Sequence, residues 1–171
     1  MKILSVHARE ILDSRANPTI EVDITTKLGV FRGVSPSGAS TGEHEAVELR
    51  DGGVRYLGKG VRKAVRLVNN KVGLQLVGKS CVKQKEIDDL LQHVDGSVDK
   101  HRIGANALVA CSMAVARAGA AARGKPLYFY LNSLYSDVLG KPVAMKLPQG
   151  YFNVLNGGVH AANKLAFQEF M

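Results

Sequence analysis

The spacing of apolar and polar positions changes once along the chain, near residue 60. Before that point, apolar residues alternate with polar ones, most clearly at Ile20, Val22 and Ile24. Successive side chains of a strand point to opposite faces, so this alternation predicts a half-buried strand with these three residues facing inward. Turn-forming residues separate it from two similar runs. We predict a three-stranded antiparallel meander with strands at residues 3–12, 19–26 and 30–34.

Beyond residue 60, apolar residues recur every three or four positions, which predicts helices. The first two apolar stripes are Val61, Ala64, Val65, Val68 and Val72, then Ile87, Leu90, Leu91 and Val94. The second helix is predicted to end at Asp95-Gly96. Residues 106–122 are apolar on nearly every face and predict the buried central helix of a small bundle. A last helix begins near Pro126, and Gly140-Lys141-Pro142 ends it.

These elements predict an α+β domain over residues 1–140, with the meander followed by a helical bundle. Residues 141–171 differ in their sequence pattern. Pro148 and Gly150 lead into a short apolar run, Tyr151 to Asn156, which predicts a strand buried on both faces. We interpret residues 141–171 as a linker with the first strand and loop of a second domain.

Charge and cysteine content narrow the functional classes. The 171 residues carry a formal charge of +8, but the basic residues are scattered and predict solvated helix faces. A nucleic-acid-binding domain is a remote alternative, since no recognised binding motif accompanies the charge.

Cys81 and Cys111 lie far apart without metal-ligand spacing, which favours a reducing cytoplasm. Charged residues follow Met1 too early for a signal peptide, and residues 105–116 predict a buried helix rather than a membrane span. We therefore expect a soluble cytoplasmic protein.

One candidate chemical segment runs from Ser35 to Ala46. Gly38 and Gly42 are suited to a loop that hinges over a ligand, and nearby hydroxyl groups suit Mg²⁺ or phosphate. These hydroxyls belong to Ser37, Ser40 and Thr41. The Lys-Ser/Thr ending of a P-loop is absent, which disfavours a nucleotide site. The alternative is an ordinary turn with a helix N-cap.

A second candidate segment covers residues 153–171. Asn156-Gly157-Gly158 predicts a sharp turn, and His160 follows it, with Gln168 and Glu169 further on. A histidine, an amide and a carboxylate are suited to surround a polar ligand. The alternative is that His160 is a hydrogen-bonded loop residue without a chemical role.

Together the segments resemble the enolase family, in order and over the whole chain. The matching runs are His7 to Arg15, Asn17-Pro18-Thr19, Pro36 to Gly42, His44-Glu45-Ala46, Glu48 to Gly52, Gly58 to Val61, Gly104 to Ala107, Pro126-Leu127-Tyr128, Asn153 to Gly158, His160-Ala161 and Gln168 to Met171.

The resemblance implies an amino-terminal enolase domain and the start of a TIM-type barrel. Enolases interconvert 2-phosphoglycerate and phosphoenolpyruvate, as lyases of glycolysis, with two Mg²⁺ ions per site and a basic side chain that removes a proton. The resemblance implies that Ser40 binds the second Mg²⁺ and that His160 approaches the substrate. It also implies that Gln168 and Glu169 contact the departing hydroxyl end of the substrate, and that Glu169 supports the acid. The implied mobile loop contains Ser37, Gly38, Ala39, Thr41, Gly42 and His44.

In the family, the lysine base, the main acid, the other Mg²⁺ ligands and the phosphate-binding residues lie in the barrel. A complete barrel needs about 250 residues. We therefore expect these 171 residues alone to be inactive and their part of the family's homodimer interface to be incomplete. The alternative is a truncated paralogue without catalysis that acts as a protein-binding module. In either case residues 151–155 would form a first barrel strand without its neighbours, so we expect their apolar side chains to be exposed and this tail to be mobile, paired with another chain or prone to aggregation.

Several positions depart from the family pattern, including Pro148-Gln149-Gly150, where Pro-Val-Pro is usual. Ala16 and Ala162 stand where glycine is usual, and Val159 replaces a small residue before His160. If Ala16 adopts the positive φ of a glycine, the cost is on the order of 1 kcal/mol. Val159 would crowd a loop that orders around substrate. These changes indicate relaxed constraint.

Overall fold

The computed structural model describes residues 1–38, 42–158 and 161–171. Its first part is a three-stranded antiparallel sheet in the order β1-β2-β3. The strands are β1 (Ser5–Leu12), β2 (Pro18–Thr26) and β3 (Gly29–Ser35). Val22, at the centre of β2, lies opposite Ala8 on one side and Gly33 on the other. The predicted meander is confirmed.

β2 is more buried than its alternating pattern predicts. Ile20, Val22 and Ile24 are fully buried, as expected, but Thr19 and Glu21 on the opposite face are buried as well. The prediction of a half-buried strand is therefore wrong on that face. The reason is cross-strand pairing, because long side chains on the outer strands reach over β2. Arg9 of β1 and Arg32 of β3 form ion pairs with Glu21 and Asp23 of β2.

The helices follow the predicted order. They are α1 (Arg62–Leu67), α2 (Gly73–Leu76), α3 (Gln84–Asp95), α4 (Ala105–Ala122) and α5 (Leu127–Leu139), with a short 3₁₀ turn at Arg55–Gly58. Gly96 and Gly140 end α3 and α5 in left-handed conformations, as the sequence indicates. The resulting α+β class is confirmed.

The predicted first helix is interrupted by a π turn, Val68–Val72, which joins α1 to α2. The turn contains Asn69, whose amide bonds both backbone groups of Ala8. Ala8 N donates to Asn69 Oδ1 at 2.7 Å, and Asn69 Nδ2 donates to Ala8 O at 3.0 Å. A side chain thereby serves backbone groups of β1 that the sheet edge would leave unpaired.

α4 is the central helix of the core. Eleven of its residues are buried, and it packs closely on the sheet at Gly33. It is also the one helix, within the described ranges, that is long and apolar enough to cross a membrane. Its burial against β2, β3, α3 and α5 accounts for that composition as a core helix, as predicted. Both cysteines are free and buried, and desolvation raises the pKa of Cys111 to about 12.

Ala16, in the turn between β1 and β2, has a φ of 58°, so the condition for the predicted strain is met. Asp13 organises this turn, because its Oδ1 accepts hydrogen bonds from the N–H groups of Arg15 and Asn17. These backbone hydrogen bonds, with Asn17's the larger, lower the pKa of Asp13. The turn holds a non-glycine residue where the left-handed region favours glycine.

The last 30 residues contain little regular structure. β4 (Leu155–Asn156) pairs antiparallel with β5 (Glu169–Phe170). The predicted strand over Tyr151 to Asn156 is therefore wrong for Tyr151 to Val154, which are irregular, and its predicted burial on both faces is wrong throughout, since all six residues are exposed. Period and composition predict an extended run, but a ladder also needs a partner, and β5 offers only two residues.

Candidate functional site

The structure describes only some of the residues that the sequence singles out. Ser37, Gly38, Gly42 and His44 are described in the first segment, and Gln168 and Glu169 in the second. The metal ligand implied by the resemblance, Ser40, and the substrate residue His160 lie outside the described residues. So do Ala39, Thr41 and Val159.

Ser37 follows β3 and is held on both sides by arginines. The Arg15 guanidinium donates to Ser37 O at 2.5 Å, and Arg50 donates to Ser37 Oγ. Ser37 Oγ in turn donates to Glu48 Oε2 at 2.7 Å, and Arg50 reaches the same carboxylate oxygen at 2.7 Å. Ser37 and Glu48 are thereby joined directly, although ten residues lie between them along the chain.

Arg50 also ties this pair to two other segments. Its Nη1 donates to Pro18 O at 2.6 Å and to Lys59 O at 2.8 Å. One guanidinium therefore contacts the start of β2, the loop before α1, Ser37 and Glu48. The planar fork of arginine suits such a fixed arrangement of several acceptors.

The chain after residue 42 is anchored to the start of α4. Asn106, which is buried, accepts from Leu49 N at 3.1 Å and donates to Leu49 O at 3.3 Å. Val47 N donates to Asp99 O at 2.7 Å, and Ala105 N donates to Val47 O at 2.8 Å. Residues 47–49 are thus held like a strand, by backbone and side-chain amide groups.

The turn at Gly42 is closed locally. Glu45 accepts from Gly42 N at 2.9 Å through its side chain, and its own N–H donates to Gly42 O at 3.3 Å. His44 lies in this turn and is exposed to solvent. The turn itself therefore has an internal hydrogen-bond pattern, as expected for the alternative interpretation of this segment as a turn.

An open cavity of about 590 Å³ lies between this segment and the start of α4. Among the described residues, its lining includes Ser37, Gly38, Gly42, Glu48 and Asn106. The side chains of these lining residues include hydroxyl, carboxylate and amide groups, whose oxygens are ligand types that Mg²⁺ accepts. Within residues 1–38, 42–158 and 161–171, however, no group of three His, Cys, Asp or Glu residues is placed to hold a metal ion.

The second segment is folded on itself by backbone hydrogen bonds. Gly157 N donates to Gln168 O at 3.0 Å, and Gly158 N donates to Leu165 O at 2.8 Å. Glu169 lies in β5 opposite Asn156 and is exposed. The predicted turn at Asn156-Gly157-Gly158 therefore brings Gln168 and Glu169 beside the strand that precedes it. Neither residue belongs to the described lining of the cavity near Ser37.

Sequence reasoning assigned no role to four residues that organise the first segment: Arg15, Glu48, Arg50 and Asn106. All four occur in runs that resemble enolase, which is the one signal that marked them. Their spacing carries no periodic signal. Asn106 lies 57 residues from its partner Leu49, and Arg15 lies 22 from Ser37.

Comparison with known proteins agrees with these segments. Residues 3–131 match the family model of the enolase N-terminal domain, and residues 144–171 match that of the enolase C-terminal TIM barrel domain. Over 100% of its own length, the chain is 56% identical to Enolase 1 of Entamoeba histolytica. It is 57% identical to the enolase of Mastigamoeba balamuthi and 54% identical to that of Pyrococcus furiosus, each over 99% of the chain.

The chain spans 38% of the length of each of these relatives. The amino-terminal family model alone covers most of the chain, and the three-stranded sheet followed by helices fits its description. The chain belongs to the enolase family.

Proposed function

We propose that residues 1–171 form the amino-terminal domain, and the start of the barrel, of an enolase that interconverts 2-phosphoglycerate and phosphoenolpyruvate. The observation that carries this proposal is the identity of 54–57% to enolases along essentially the whole chain. The domain would cover residues 1–140, and the barrel segment residues 141–171. The buried free thiols of Cys81 and Cys111 fit a reducing compartment such as the cytoplasm.

In this proposal the chain supplies one wall of the active site. Ser40 would hold one of two Mg²⁺ ions, and the anchored positions of Ser37 and Glu48 fix the chain on either side of it. Bound Mg²⁺ supplies Lewis-acid stabilisation of the negative charge that develops on the substrate. His160 and Gln168 would approach the substrate, and Glu169 would support the acid that protonates the departing hydroxyl.

The 171 residues alone should not dehydrate 2-phosphoglycerate. The family's base and main acid lie in the barrel, and acid–base catalysis typically contributes about 10²–10⁴-fold. We expect the purified chain to form no phosphoenolpyruvate at saturating Mg²⁺. The ultraviolet absorbance of phosphoenolpyruvate measures its formation. Turnover that follows the protein through purification would contradict this expectation.

A chimera tests the proposed role directly. Residues 1–171 replace the matching segment of Pyrococcus furiosus enolase, which is 54% identical to them. We expect Mg²⁺-dependent formation of phosphoenolpyruvate. The Glu169→Gln form keeps the size of the side chain but loses its charge, and should lose activity by about 100-fold or more. A folded chimera without activity would refute the proposal.

A second candidate is a protein-binding module without catalysis. It is favoured by exposed apolar side chains in the last segment, among them Tyr151, Phe152, Val154 and Phe167. The chain would then bind an enolase subunit or another partner, as the subunits of the family's homodimers bind each other. We would mix it with the remaining part of Pyrococcus furiosus enolase. A complex without turnover, together with an inactive chimera, would favour this candidate.

A further inference from the structure

We propose that Arg50 is a positioning residue that holds Ser37 and Glu48, the two ends of segment 37–48, in a fixed arrangement against the rest of the domain. The expected effect of Arg50 on catalysis rests on the proposed enolase function. The claim that Arg50 holds Ser37 and Glu48 in place does not depend on that function and has its own test.

Several segments of the chain meet at Arg50. Its guanidinium donates to Pro18 O, Lys59 O, Ser37 Oγ and Glu48 Oε2. Two of these acceptors belong to the body of the domain, and two are the ends of the segment. Arg50 therefore sets the position of the ends relative to the body as well as to each other.

Both ends are fixed from outside the segment. Ser37 is also held through its carbonyl by Arg15, at 2.5 Å. On the other side, Leu49 is held by both polar atoms of the Asn106 amide. The Ser37–Glu48 hydrogen bond of 2.7 Å thus fixes the separation of the two ends.

The hydrogen bonds around Arg50 contribute little to the stability of the hydrophobic core. The side chains of Arg50 and Glu48 remain 23% and 33% exposed, and their partners are polar. Partly exposed ion pairs contribute little to global stability, whereas several directed hydrogen bonds to one planar group fix geometry. A role in positioning explains why four acceptors converge on this guanidinium better than a role in overall stability does.

Limited proteolysis of the 171-residue chain with a glutamate-specific endopeptidase tests the structural claim. Glu43 and Glu45 lie within the segment and are exposed, whereas Glu86 lies in α3 and reports opening of the whole domain. Lysine keeps the charge at position 50 but cannot reach all four acceptors. We expect Arg50→Lys to raise cleavage after Glu43 and Glu45 by roughly tenfold, with cleavage after Glu86 unchanged.

Two matched variants complete this test. Arg66→Lys changes an exposed arginine of α1 in the same way and should leave every cleavage rate unchanged. Glu48→Gln keeps an acceptor oxygen for Ser37 and Arg50, so it should raise cleavage after Glu43 less than Arg50→Lys does. Equal rates in Arg50→Lys and the unchanged chain would overturn the inference. So would a parallel rise after Glu86, since it would show a role in domain stability alone.

The chimera with Pyrococcus furiosus enolase tests the consequence for catalysis. If the unchanged chimera is active, Arg50→Lys should lower kcat/KM by roughly ten- to a hundredfold, because small displacements of active-site segments have effects of that size. Arg66→Lys should match the unchanged chimera. An active chimera that Arg50→Lys leaves unaffected would overturn the positioning role. An inactive unchanged chimera would instead refute the proposed function, while proteolysis would still decide the structural claim.

Discussion

Residues 1–139 and 141–171 use similar apolar side chains in different ways. In the first region, Ile20, Val22 and Ile24 are fully buried between α4 and the neighbouring strands. In the second, Tyr151, Phe152 and Val154 are 74%, 76% and 78% exposed. The difference lies in the opposing surface, since β2 has α4 packed against it, whereas the regular structure described in the second region is the two-residue ladder of β4 and β5.

This comparison shows that apolar sequence becomes core only where a second element lies opposite it. Burial of a large aliphatic or aromatic side chain contributes about 1.5–3 kcal/mol relative to leaving it exposed. The first region gains this contribution many times, through the sheet and four of its helices. The stability of the chain should therefore reside almost entirely in residues 1–139.

The largest predicted effect is at the contact between the sheet and α4. A Cβ at Gly33 would lie 2.1 Å from Ala110 O and 2.7 Å from Ala114 N. Both are backbone atoms of α4, so Gly33→Ala can be accommodated only if the helix moves away from the sheet. We expect the free energy of unfolding, measured in urea, to fall by about 4 kcal/mol or more.

Gly42→Ala is the matched control for this substitution. Among the described residues, its chain neighbours apart, the atom nearest to a Cβ at Gly42 would be Glu45 Cγ at 3.7 Å. The change in unfolding free energy should stay within about 0.5 kcal/mol. If Gly33→Ala is equally harmless, α4 does not hold the sheet as closely as the structure indicates.

A smaller effect is expected at Glu10, which connects β1 to the loop before α1. Its carboxylate accepts from Arg55 Nη1 at 3.0 Å and from Val61 N at 2.8 Å. The hydrogen bond from Arg55 is the largest cause that lowers the pKa of Glu10 below its usual value of 4.5. Folding therefore favours the charged form. This contribution is fully present above about pH 4.5 and is lost as pH falls through the lowered pKa.

We accordingly expect Glu10→Gln to lower the free energy of unfolding by about 1–2 kcal/mol at neutral pH. The difference from the unchanged chain should shrink below about pH 4.5, where the unfolded chain takes up a proton that the native carboxylate, with its lowered pKa, does not. Unfolding in urea across this range measures both effects. Glu86→Gln, at an exposed ion pair of α3, should change stability by less than about 0.5 kcal/mol. A difference that persists unchanged in acid would exclude the carboxylate as its source.

Much of the first region could be predicted from sequence because its signals are local. Alternation located β2, helical spacing located α3, and Gly96 and Gly140 marked where helices end. The π turn at Val68–Val72 could not be predicted, because the apolar stripe continues across it. Nor could the burial of Glu21, which depends on arginines of the neighbouring strands.

The candidate site was predictable only in part, for the same reason. The resemblance to enolase marked Ser37, Gln168 and Glu169, and family membership is confirmed, but the roles of these residues stay predictions. The convergence of Arg15, Ser37 and Arg50 depends on how the sheet and the following loop fold together. No spacing along the chain encodes such a contact, so it becomes visible only in the structure.

Ala16 offers a smaller test within the well-packed region. Its φ of 58° costs an L-residue on the order of 1–2 kcal/mol. Glycine avoids this cost, but its greater freedom in the unfolded chain offsets part of the gain in stability. Ala16→Gly should raise the free energy of unfolding by about 1 kcal/mol. Ala121→Gly, within α4, should lower it by about the same amount. Equal signs for the two variants would show that the turn does not strain Ala16.

The smallest predicted effect on stability, and the sharpest test of the comparison, is removal of residues 144–171. The preceding residue, Val143, is bonded to α5 through Ser136 and Asn132, so a chain of residues 1–143 keeps that helix end intact. Its urea midpoint should match that of the full chain within the error of measurement. Binding of a dye that detects exposed apolar surface should fall, because Tyr151, Phe152 and Phe167 are removed. A marked loss of stability would show instead that the last segment packs on the domain, and the contrast between the two regions would fail.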